Sequence, residues 1–241
     1  MTTTPRRQPE QQAPPVQKLQ VRYAKRGRAR FTSHRDFSRA FERALRRAGV
    51  PMAYSSGYNP HQRVSFANAS PTGAATEAEY LEIGLAEVVD PEAVRVALDA
   101  ALPDGLHVLE VVVAPPGGIA DRLSASAWRI GVTGVPRDVL ERAVAALLAA
   151  EHAEVERMTK TGLRTFDARA AVIALAVVDD HTLELVSVQG TPLVRPDDVL
   201  QALGRLDDSF AATDPPLLTR LAQGHWDGTR IVGPFEGHPV A

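Results

Sequence analysis

Apolar positions along this chain switch repeatedly between two periods, and the switches mark its elements. Leu19, Val21 and Tyr23 alternate with Gln20 and Arg22, the period-two pattern of a half-buried strand. Phe37, Phe41, Leu45 and Ala48 then recur at three- and four-residue steps, which places them on one helical face. Ser33 is the expected N-cap of that helix, with Asp36 three residues on, and Gly49 and Pro51 end it. Gly27 predicts a turn before the helix, with Ala29, Arg30 and Phe31 continuing the sheet. Residues 54–63 are a loop by composition. Val64–Ala69 and Glu79–Leu85 read as strands, Pro91 opens a helix through Leu102, and His107–Val113 is a Val-rich strand.

After Pro115, Pro116, Gly117 and Gly118 the same order returns. Trp128–Val132 predicts a strand, and a helix runs from Pro136 to about Ala150. Arg169–Val178 and Thr182–Val188 predict a hairpin around Asp179 and Asp180, and Pro196 opens a helix through Leu206. Pro215–Gln223 reads as a short helix and Thr229–Val232 as a closing strand. The expectation is an α+β fold of two ferredoxin-like (βαββαβ) halves in tandem. No sequence repeat links them, so the duplication is one of topology. The expected division is a disordered tail at 1–16, a basic half at 17–114, a linker at 115–126 and an acidic half at 127–241.

Charge sharpens this division. Residues 17–66 hold twelve Lys and Arg against only Asp36 and Glu42, whereas the residues after Phe66 hold 13 basic and 26 acidic side chains. The formal net charge of −2 therefore conceals a polarised molecule, with a candidate surface for a polyanion. The 241 residues include no cysteine, which excludes disulfides, thiolate-held zinc, an iron–sulfur cluster and a thiol nucleophile within them. There is no apolar run of membrane-spanning length and no signal-peptide pattern at the N-terminus, so the expected compartment is the cytoplasm.

Four features carry candidate chemistry. Arg35, Arg39, Arg43, Arg46 and Arg47 form a basic helical stripe beside Arg30, which suits phosphate tracking. A solvated helix face is the plainer alternative, but such faces usually mix signs. His34, at the helix start, suits acid/base work or donation to a phosphate, against simple packing beside the cap. Tyr58, Asn59, His61 and Arg63 sit on a loop that suits base stacking and phosphate contact, against a rigid loop pinned to the core. His34, His61 and Asp36 lack a further ligand, so no metal site is assigned. Lys160 and Arg164 belong to a smaller basic cluster that either extends the binding surface or simply flanks a hairpin turn.

The residues Arg30-Phe31-x-Ser33-His34-x-Asp36, the run from Arg39 through Pro51, Tyr54-Ser55-x-Gly57-Tyr58-Asn59-Pro60-His61, Ser65-Phe66-Ala67 and Glu79-Tyr80 resemble one family. It is the radical-SAM-linked family carrying the DUF2344 domain. Its usual Pro-Leu-x-x-Gly is replaced here by Ala69-Ser70-Pro71-Thr72-Gly73. Family members occur as separate chains encoded beside a radical SAM protein or fused to its C-terminus, and this chain resembles the stand-alone form. The resemblance implies a radical SAM partner that holds S-adenosylmethionine and an iron–sulfur cluster, with no cofactor in this chain. The first expectation is thus a non-catalytic accessory subunit that presents RNA, tRNA or rRNA, to that enzyme. The second is an RNA-processing or RNA-modifying enzyme using His34 and His61 without metal. The third is a protein-interaction module whose basic face meets an acidic patch on the partner.

Overall fold

β1 (Gln17–Lys25) carries its alternation into the fold: Leu19, Val21 and Tyr23 are buried in the first core. The computed structural model describes residues 11–159 and 162–236 and separates into two units. The first unit runs to Thr72 and resumes over Glu79–Ile119; the second takes Gly73–Ala78 and Ala120–Glu236. Among the described residues no helix is long and apolar enough to cross a membrane.

In the first unit β1 lies between β4 (Leu106–Val113) and β3 (Ala75–Leu85), and β2 (Val64–Ala67) pairs with β3. The β1–β4 register is antiparallel, from Leu19 opposite Val113 to Lys25 opposite Leu106. α1 (His34–Arg47) and α2 (Pro91–Ala101) cover this sheet. Phe37, Phe41, Leu45, Val94 and Leu98 share one core with Leu19, Val21, Leu81 and Ile83. This is the expected βαββαβ order. Two expectations fail here. Ala29–Phe31 is not strand but part of a 3-10 turn, Gly27–Phe31, none of whose residues is buried. Nor are residues 12–16 a loose tail. The Gln12 amide donates to Ser56 Oγ (2.9 Å), the Val16 amide donates to the Leu85 carbonyl, and both residues are held against the unit. Residues 1–10 of that expected tail lie outside the described residues.

The second unit repeats the arrangement, in the order β10 (Leu217–Trp226), β5 (Ala125–Gly131), β9 (Thr182–Val188), β8 (Val172–Asp179). α3 (Arg137–Ala149) and α4 (Pro196–Leu206) pack Leu140, Ala143, Leu147, Val199 and Leu203 onto it. A hairpin of β6 (Glu154–Thr159) and β7 (Gly162–Asp167) is inserted between α3 and β8. The closing strand is β10, where the sequence pattern predicts a helix at Pro215–Gln223; Thr229–Val232 supplies only the two-residue β11 (Ile231–Val232) beside it. β10 also pairs in parallel with the start of β3, Thr219 with Ala75 and Arg220 with Thr76. That pairing is why Gly73–Ala78 belongs to the second unit.

Candidate nucleic-acid interface

α1 is fixed at its start by a reciprocal cap. Ser33 Oγ accepts from the Asp36 amide (3.2 Å) and donates to Asp36 Oδ2 (2.7 Å). Both side chains are thus engaged in starting the helix. With the apolar side of α1 buried, helical spacing turns Arg35, Arg39, Arg43 and Arg46 to the opposite side, where all four are exposed. Among the described residues none of these four has an ion pair or hydrogen bond to an acidic side chain, and Arg28 in the preceding turn is likewise exposed and unpaired.

Several other arginines behave differently. In the second unit Arg129 meets Glu184 (2.8 Å), Arg137 meets Glu141 (2.8 Å), Arg142 meets Asp138 (2.8 Å) and Arg230 meets Glu236 (2.6 Å). Arg157 is paired with the buried Asp198 and lies over the Phe166 ring. In the first unit Arg22 meets Glu110 and Arg95 meets Glu92. Four exposed arginines without an acidic partner on one helix thus contrast with the ion-paired arginines of the second unit.

The remaining predicted residues divide. Arg47 points to the end of α2, where its guanidinium donates to the Ala101 carbonyl, so it is a helix cap rather than a free cation. Arg63 Nε donates to the Tyr54 carbonyl (3.0 Å) and closes the base of the loop. Tyr58 and Asn59 are exposed at the loop tip. His61 is held within that loop: its amide donates to Ser55 Oγ (3.1 Å), and its Nδ1 lies 2.8 Å from the same oxygen. His34 meets the Phe66 ring edge-on at 4.8 Å, so the two imidazoles have different partners and share none. Arg164 is exposed on β7 of the second unit; Lys160 lies outside the described residues.

Sequence reasoning missed the turn that follows β2. Asn68 has φ +48, and the buried Glu79 carboxylate accepts from the Ser70 amide with both oxygens, at 3.0 and 3.3 Å. Glu79 thereby shapes the segment at Ser70 that follows β2. The sequence signal for this role was weak, because β3 carries Glu77 and Glu82 as well. Also missed was Phe31, which is 59% exposed with the Arg30 guanidinium carbon 4.6 Å from its ring centroid.

Residues 18–196, which contain all of this surface, match the model of a family described as an uncharacterized protein conserved in bacteria (DUF2344). The chain belongs to the DUF2344 family. The similarity implied by Ser33-His34-x-Asp36 and the 54–61 loop is thus a family relation, and it extends from the first βαββαβ order into the second as far as Pro196. No curated protein matches the chain. Among solved structures, a crystal structure of a Cbf5-Nop10-Gar1 complex matches with a TM-score of 0.45 at 10% identity. The match covers 92% of this chain and 55% of that one, so the chain spans about half of its length.

Proposed function

We propose that this DUF2344 protein binds RNA through the arginine stripe of α1 and presents it to a radical SAM enzyme. The observation that carries the binding half is the set of exposed, unpaired guanidinium groups at Arg35, Arg39, Arg43 and Arg46. Like charges at i, i+4 repel and destabilise a helix, so the arrangement has a local cost that a bound polyanion would offset. Arg28 and Arg30 extend the same charge past the helix start. The partner half rests on the resemblance to the radical-SAM-linked family. With no cysteine in the 241 residues, the cluster and S-adenosylmethionine would reside in the other chain.

The test is RNA affinity measured across a salt series. Counterion release from several phosphates should give a log–log slope of several units. The double variant Arg39→Glu, Arg43→Glu should bind more weakly with a flatter slope. Tight binding with an unchanged slope in that variant would overturn the assignment of α1. Capture of an acidic protein but no RNA would move the stripe to a protein interface.

A further inference from the structure

Exposed aromatics are concentrated where the charge is. Among the described residues the large aromatic side chains exposed to solvent are Phe31, Tyr54 and Tyr58, and all three fall within the cationic segment 17–66. Phe31 is the least explained by folding. It closes a 3-10 turn with no buried residue, and its ring has no polar atom to place in water. One partner is visible: the Arg30 guanidinium, 4.6 Å from the ring centroid. That guanidinium makes no ion pair or hydrogen bond among the described residues, and its Nε is buried without an acceptor. Three residues later α1 begins, with its unpaired arginines.

A phenyl ring braced by a guanidinium and followed by free cations matches the composition of single-strand binding surfaces, where bases stack on aromatics and arginines follow the backbone. A duplex keeps its base faces stacked internally and offers Phe31 nothing comparable. We infer that Phe31, braced by Arg30, is a stacking platform for one unpaired base, so that the RNA recognised by α1 is single-stranded at that point. This rests on the RNA-binding reading above and narrows it to a substrate class.

The test uses the full chain, a short single-stranded RNA carrying one 2-aminopurine, and a blunt duplex of the same sequence. Binding should quench the 2-aminopurine fluorescence and favour the single strand. Phe31→Ala should lose the quench and weaken binding roughly 10-fold, the effect expected of one lost stack. Its salt slope should stay that of the parent, because no phosphate contact is removed. Phe31→Leu, which keeps apolar bulk without a ring, should behave as Phe31→Ala, and Phe31→Trp should restore both signals. Equal affinity for duplex and single strand, or an unchanged quench in Phe31→Ala, overturns the inference while salt-dependent binding keeps the RNA reading. Loss of salt-dependent binding to both forms in the parent chain removes the RNA reading itself. Binding of polyglutamate as tightly as the single strand, with no quench by the RNA, overturns both.

Discussion

Arg43 and Arg47 stand one helical turn apart on α1 and have different surroundings. Arg47 reaches the Ala101 carbonyl and supports the end of α2, whereas Arg43 has no partner among the described residues. Removing them should separate stability from binding. Arg47→Ala should lower Tm measurably and leave the salt slope of RNA binding nearly unchanged. Arg43→Ala should keep or slightly raise Tm, since it relieves like-charge repulsion, and reduce the slope by about one unit. Thermal melts and salt titrations on the two variants check this pair. A second contrast concerns backbone space. A Cβ at Gly224 would overlap the Val232 carbonyl, where β11 crosses close to β10. Gly224→Ala should therefore destabilise the second unit, seen as faster amide exchange in β10 and β11.

At the scale of the element, α1 depends on its first turn, because it must hold repelling guanidinium groups in one row. Ser33→Ala removes the acceptor for the Asp36 amide and should cost about 1 kcal/mol, or roughly 2–4 °C in Tm for a chain of this size. RNA should restore part of that loss by binding only the folded helix. α1 was legible in the sequence because every local signal agreed: a capping serine, an apolar stripe, and Gly49 and Pro51 after it. β10 was not. It is a strand paired on both edges whose buried positions include Arg220 and Gln223, and a register shift between Arg220 and Ala222 breaks its alternation. Polar residues inside and a bulge together imitate an amphipathic helix after Pro215 and Pro216. The turn of the β6–β7 hairpin was one reading of the Lys160 and Arg164 cluster, but its strands were not legible for the opposite reason: only Val155 and Phe166 are buried, so most of their alternation carries no apolar contrast. At the candidate site, the arginine row was legible from spacing, while the capture of Arg47 and Arg63 by carbonyls depended on tertiary neighbours that no local pattern encodes.

For the molecule as a whole, the two units are not two consecutive lengths of chain. Gly73–Ala78 leaves the first unit and joins the second, with Ala74, Thr76 and Ala78 buried there. Cutting the chain at the Pro115–Gly118 segment should therefore damage both products. A fragment ending near residue 119 retains Gly73–Ala78 without its β10 partner, and the complementary fragment presents β10 without Ala75 and Thr76. Each fragment should show more exposed apolar surface than in the intact chain, read by dye binding, and mixing the two should reduce that signal. The same exchange has a consequence in time. The Gln223 side chain donates to the Ala78 carbonyl across 145 residues of sequence. At roughly 5–20 residues per second, a ribosome needs on the order of 10 s to make the second partner after the first has left it. The described residues of the first unit are complete by Ile119, so the nascent protein would have its cationic helix assembled while Gly73–Ala78 still waits without its β10 partner, a candidate for chaperone protection during translation.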